Sequence, residues 1–267
     1  MAARRILRVY TYVLFVVMLA PILIVLPVAL TRTNYMTFPP EGITGKWFLE
    51  GLRDQILLDA LGRSLVLAVA TAVFSVALAL LASFAVERRA FAGRRALETF
   101  FTGPRVIPQI ILVLGLLIFF RSLNMGGSFT GLLLAHFVVT FPFAFRTILA
   151  SVSSVDVILE WSARTLGANW LTVFRRVLIP QIKTALIAAF MFSFIESFNN
   201  VTIALFLSRP GARTLPVELF VRLQVGGITP SVPALSFLLA GVAIALFVIL
   251  DRTIGIYKFL AGSEGSR

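Results

Sequence analysis

The sequence predicts an all-α integral membrane protein with six transmembrane helices, and three observations carry that expectation. Of its 267 residues 59% are hydrophobic and only 13% charged, where an ordinary soluble domain has about a quarter charged. Six apolar runs approach the roughly 20 residues that a helix needs to cross about 30 Å of hydrocarbon. Arginines gather on one side of a six-span arrangement, which accounts for a formal net charge of +12 without invoking nucleic acid.

The first run, 9–30, follows Arg4, Arg5 and Arg8. A charged start of this kind resembles a secretory signal, but the apolar stretch is too long and no convincing cleavage site follows, so it reads as a retained anchor. The next stretch, 31–63, balances Arg32, Lys46, Arg53 and Arg63 with Glu41, Glu50, Asp54 and Asp59, as an external loop does. The second span, 64–86, runs into Arg88, Arg89, Arg94 and Arg95. Spans three and four cover 100–120 and 129–150, and after them come Arg164, Arg175, Arg176 and Lys183. Spans five and six cover 184–207 and 234–250. The positive clusters put both termini and the loop 151–183 on the cytoplasmic side. Pro21, Pro27, Pro104, Pro108 and Pro142 fall within or near spans, where they kink helices rather than end them, and bent helices favour a cavity. No polar stretch is long enough to fold separately, so 1–267 reads as one membrane domain.

Several chemistries lack their residues. With no cysteine and a single histidine, His136, neither thiolate nor multi-histidine metal sites can form. The segment Gly42-Ile43-Thr44-Gly45-Lys46-Trp47 has two residues between its glycines where a phosphate-binding loop has four, and no Ser or Thr after the lysine. There is no G-x-S-x-G elbow and no H-E-x-x-H pair. Enzyme chemistry therefore has no residue support.

The loop Glu160 to Pro180, EWSARTLGANWLTVFRRVLIP, breaks the apolar pattern. Residues up to Leu166 suit a short helix, Gly167 can take the left-handed conformation that ends one, and Asn169 can cap a second. On that second helix Trp170, Val173, Phe174 and Val177 form one apolar stripe. Two readings fit this pattern: an amphipathic helix lying among lipid headgroups, or a surface built to dock another protein.

The run Ala163-Arg164-Thr165-Leu166-Gly167-Ala168, followed by Val177-Leu178-Ile179-Pro180, resembles the EAA loop of permease subunits of ABC importers. In that motif a Glu-Ala-Ala is followed four residues later by Gly and then by an Ile-x-Leu-Pro-like ending. The resemblance implies a type I importer permease fold in a bacterial inner membrane. It implies that this loop, through Glu160, Trp161, Ser162, Ala163, Arg164, Leu166, Gly167, Ala168, Trp170, Phe174 and Pro180, is a coupling helix fitting a groove on a cytoplasmic ATPase. It also implies a second permease subunit, two ATPase copies that bind ATP and Mg, and a periplasmic or extracellular substrate-binding protein. This chain would carry no cofactor. The motif's Glu falls on Trp161 and its first Ala on Ser162, while Glu160 lies one position earlier. A channel or ion-coupled carrier working without an ATPase is the alternative.

Further segments narrow the resemblance to spermidine/putrescine-type permeases: Phe38-Pro39-Pro40 with Trp47, Ala135-His136 before Pro142-Phe143, Ser197-Phe198 leading to Ala204-Leu205-Phe206-Leu207, and Arg213-Thr214-Leu215-Pro216. Where that group commonly carries acids after Ser-Phe, this chain has Asn199 and Asn200. Carboxylates would attract a polyamine and amides offer only dipoles, which weakens the polyamine expectation; the resemblance also implies amino-acid-like compounds, opines and aminophosphonates, which related transporters handle, as solutes. His136, Glu196, Asn199 and Asn200 are the residues expected along the substrate path. A packed, hydrogen-bonded role is the alternative for His136 and Glu196. Arg105 and Arg146 are expected to reach the headgroups along their apolar stems.

Overall fold

The computed structural model describes residues 2–225 and 229–241, and they are helical wherever they are regular. In chain order the helices are α1 (Ala2–Ala29), α2 (Lys46–Arg53), α3 (Gln55–Arg88), α4 (Arg94–Thr102), α5 (Gln109–Ser122) and α6 (Phe129–Ser154). They continue with α7 (Val157–Thr165), α8 (Trp170–Val173), α9 (Ile179–Phe198), α10 (Val201–Leu207), α11 (Leu215–Val225) and α12 (Ser231–Gly241). The chain groups into two compact units, one from Met1–Asp59 and Glu218–Leu250 and one that includes Ala60–Val217.

Four of these helical stretches are long and apolar enough to cross a membrane: Leu7–Ala29, Gln55–Arg88, Phe129–Ser154 and Trp170–Phe198. They contain most of the expected spans 9–30, 64–86, 129–150 and 184–207. The expected third span, 100–120, is instead broken. Arg94–Arg105 and Gln109–Ser122 meet at 100°, because Pro104 and Pro108 flank a stretch that cannot supply a continuous set of amide donors. The fifth span, too, ends early, at Phe198, and resumes as α10 after Asn199 and Asn200. Most of the expected sixth span, 234–250, lies outside the described residues.

In the unit of residues 1–59 and 218–250, α1 exposes Val9, Phe15, Val16 and Met18, apolar residues around its whole circumference, as a lipid-facing helix does. Its C-terminal end is tied down. Ala29 packs with Trp47 and Ala234, and the Trp47 indole donates to the Thr31 carbonyl at 2.7 Å. Arg222 on α11 meets Asp54 at 2.6 Å and Glu218 at 3.2 Å.

The unit of residues 60–217 is organised on α6 and α9, which pack more extensively than any other pair among the described elements. Phe141, Phe145, Ile148 and Val152 recur along one face of α6. They meet Ala79, Phe84 and Val86 of α3 and Ile182 and Ala189 of α9. Ala144, Ala185, Ala188 and Ala189 are all buried, and small residues let membrane helices approach closely where burial in lipid gives little drive. Edge-on rings of Phe101 against Phe141 and Phe145 tie α4 to α6. Polar contacts stitch the same interfaces: Ser75 with Thr140 at 2.8 Å, and His136 Nδ1 with Ser197 at 2.9 Å.

The Arg222 contact makes an acid-sensitive tie. The Arg222 hydrogen bond, opposed by partial burial, holds the Asp54 carboxyl below its ordinary 3.8. A depressed carboxyl contributes stability above its unfolded pKa and loses it as pH falls through the folded value. Both partners keep about a quarter of their surface, so the contribution is under about 1 kcal/mol. Acidifying from about pH 5 towards pH 3 should therefore lower the thermal midpoint of the purified chain, and Asp54→Asn should flatten that dependence.

Candidate functional site

Two places in the unit of residues 60–217 combine unusual chemistry with a defined geometry: the loop between α6 and α9, and a cavity at the broken third span.

The loop is built by local capping. Asp156 accepts from the Ile158 amide at 2.9 Å and starts α7; Asn169 accepts from the Thr172 amide at 2.8 Å and starts α8. Between them Gly167 has φ +87, the left-handed turn that closes α7 through Gly167 N–H to Arg164 carbonyl and Ala168 N–H to Ala163 carbonyl bonds. The helix–turn–helix expected from sequence is present. Its end differs, since no break precedes Pro180. The helix runs on from Trp170 to Phe198 through a π-helical stretch, Phe174–Leu178, in which the Ile179 amide reaches back five residues to the Phe174 carbonyl. That wider turn accommodates a proline that brings no amide donor.

Tertiary packing assigns the loop's side chains two roles. Glu160 is buried and ion-paired with Arg88 of α3 at 2.7 Å. Arg88 also donates to the carbonyls of Val152 and Val155 at 3.2 and 2.9 Å, where α6 ends. Trp161, Leu166 and Trp170 are exposed, Leu166 to 89%, and Leu171 lies exposed beside them. Ser162 and Arg164 are likewise exposed, and Ala163 and Ala168 are partly buried. Phe174 does not belong to the outer face: its ring lies edge-on to Phe84 at 5.3 Å, with Val173 and Leu178 fully buried beside it. The predicted stripe exists, but most of it packs into the chain's own core. Periodicity reveals a stripe without revealing what covers it.

The second place is a cavity of about 360 Å³ lined by Pro104, Arg105, Pro108, Gln109, Phe143, Glu196 and their apolar neighbours. The exposed Arg105 side chain lays its guanidinium over the Phe143 ring, 3.3 Å from its centre. Glu196 has no ion-pair partner among the described residues. Asn200 caps α10 by accepting from the Ile203 amide at 2.9 Å, and also accepts from Gln109 at 3.2 Å. Asn199 is exposed at the end of α9. His136 is absent from the cavity lining; it is 1% exposed in the seam between α6 and α9, bonded to Ser197. Of the four path residues expected from sequence, the fold therefore puts Glu196 in the cavity, Asn200 behind its Gln109 wall, and His136 inside a helix interface. From sequence Arg105 is expected at the headgroups and Phe143 stands out only in the Pro142-Phe143 pair, while Gln109 has no local signal beyond the flanking prolines.

A helical membrane unit with a polar cavity at a broken span and an ordered loop at one end is the architecture of a transport protein's membrane component. The chain belongs to the family described as binding-protein-dependent transport system inner membrane component, which it matches over residues 75–257. It is similar to the spermidine/putrescine transport system permease protein PotC of Escherichia coli K12, 27% identical over 208 residues and covering 78% of each chain. The putrescine transport system permease protein PotI of the same organism is 32% identical over 236 residues, covering 85% of this chain and 83% of the relative. Among solved structures, a bacterial alginate ABC transporter in complex with a pentasaccharide-bound periplasmic protein has a chain that matches with TM-score 0.72 and 17% identity, covering 94% of both chains. The chain is accordingly a permease subunit of a binding-protein-dependent importer.

The Arg88 contact decides which loop residue is structural. Glu160→Gln would leave the Arg88 charge buried without its counter-ion and should destabilise the purified chain by about 3 kcal/mol. Trp161→Ala, at an exposed position, should change it by no more than about 0.5 kcal/mol. Chemical or thermal unfolding in detergent measures both.

Proposed function

We propose that the chain forms half of an ATP-driven uptake path, with the loop 151–183 acting as its coupling helix on a cytoplasmic ATPase. One observation carries this reading. Trp161, Leu166, Trp170 and Leu171 stand exposed on a loop whose base is fixed by the buried Arg88–Glu160 pair. An apolar tip on a rigid base suits a partner's groove, since buried aromatic and aliphatic anchors dominate interface energies.

In this reading a second permease completes the path, and two ATPases, holding ATP and Mg, close to drive the two coupling loops together. The membrane helices are thereby exposed alternately outward and inward. A periplasmic binding protein, like the one complexed with the alginate transporter, delivers solute to the external face. It must prefer one of the two conformations, because a ligand shifts an equilibrium only through differential affinity. The clusters around Arg5, Arg88, Arg94 and Arg175 put both termini and the loop in the cytoplasm of an inner membrane. The named relatives point to a small organic solute, with polyamines one class among several.

Reconstitution of the permease pair with its ATPase and binding protein tests the reading: uptake into vesicles should require ATP, and uptake driven by an ion gradient through this chain alone would overturn it. Replacing Trp161, Leu166, Trp170 and Leu171 by Ala should release the ATPase in detergent pull-downs while the permease pair stays together. Phe174→Ala, at a partly buried ring, should instead lower stability by about 1–3 kcal/mol. Gly167→Val resists the positive φ of the turn, so it should reduce ATP-driven uptake more than membrane insertion.

A further inference from the structure

We propose that the cavity at the broken third span is a solute site for a small zwitterion, with Arg105 receiving an anionic group such as a carboxylate or phosphonate and Glu196 receiving an ammonium. This rests on the permease reading and names the solute class that reading leaves open.

The cavity holds one cationic and one anionic side chain. Arg105 stacks on Phe143 and presents a planar fork of donors suited to an oxyanion. No carboxylate pairs with it among the described residues, and Glu196 likewise keeps its acceptor capacity. Charges brought to one cavity from α9 and from the break between α4 and α5 yet left unpaired with each other are poised for a ligand bearing both opposite charges. Gln109, whose amide is engaged by Asn200, and the apolar wall of Leu112, Val139 and Ile107 complete the surface.

Charge selects against the alternatives. At about 360 Å³, this chain's share of the cavity has room for a molecule of amino-acid size. A diamine would satisfy Glu196 with one end but bring its other ammonium towards Arg105. The amide at Asn200 adds no compensating charge.

A second cavity of the same unit is cationic. It holds about 420 Å³ near the start of α3 and α6, away from the coupling loop at their other ends, and is lined by Arg63, Arg209, Ser128, Ser208 and Thr214 without any acid. Thr214 is 4% exposed and its hydroxyl has no hydrogen-bond partner. Such a lining draws the anionic end of a solute and repels a polycation.

Three four-carbon probes separate the possibilities because they differ chiefly in end charges: γ-aminobutyrate, putrescine and succinate. Equilibrium binding of each to the purified permease–ATPase complex in nanodiscs, without binding protein, should favour γ-aminobutyrate by about tenfold or more, about 1.4 kcal/mol. Glu196→Gln should shift the preference towards succinate and Arg105→Gln towards putrescine, whereas Arg105→Lys, which keeps the charge, should retain the original order. Putrescine binding best to the unaltered complex, preferences that ignore both variants, or no binding of γ-aminobutyrate at millimolar concentration would each overturn the assignment. ATP-driven uptake is scored in parallel. Uptake with the wrong charge preference overturns the cavity assignment alone. Charge-dependent binding without ATP-driven uptake upholds that assignment and overturns the proposed ATP-driven coupling through the loop.

Discussion

Arg88 closes α3 by reaching three acceptors at once: the Glu160 carboxylate and the carbonyls of Val152 and Val155. Those carbonyls are among the last of α6, where the helix leaves acceptors without intrahelical donors. One side chain thus joins the end of a membrane helix, the end of its neighbour and the first helix of the loop. A charged pair gives little net stability when buried, but loss of either partner is costly because it strands the other charge. That asymmetry makes the pair a fixed reference point, and the exposed tip of the loop is held in relation to it.

Farther along α3 and α6 the packing changes character. Ser75 pairs with Thr140 and His136 Nδ1 with Ser197 across the helices, and alanines bring the backbones close. Where lipid surrounds a protein, burial of apolar surface gives little drive for helix association, so close packing and interhelical hydrogen bonds carry more of it. His136 finds its place here as a stitch between α6 and α9. The aromatic cluster of Phe101, Phe141 and Phe145 then anchors α4, which leads into the broken segment.

That break is where the unit departs from continuous helix. Backbone without helical hydrogen bonds is tolerated at membrane depth only where protein or water covers it. Pro104 and Pro108 remove donors that a straight helix would require, and the turn they permit opens the cavity shared by Arg105, Gln109 and Glu196. Asn200 couples this site to the interruption between α9 and α10, since the oxygen that caps α10 also accepts from Gln109.

The sequence by itself determined the membrane class, the clustering of arginines beside apolar runs, and the turn at Gly167, because hydropathy, charge and capping act over a few residues at a time. It also indicated a short helix over 160–166, a turn at Gly167 and a second helix capped by Asn169, which stand in the structure as α7 and α8. Tertiary structure alone decided which loop residues face outward: Phe174 and Trp170 share a stripe, yet Phe84 covers the first and leaves the second exposed. It decided that Glu160 is a structural anchor, since its partner Arg88 belongs to another helix. It bent the third span, where an apolar run had suggested a straight one, and brought Gln109 beside Asn200, 91 residues away. Periodicity records how often an apolar or charged residue recurs; only packing determines what stands opposite it.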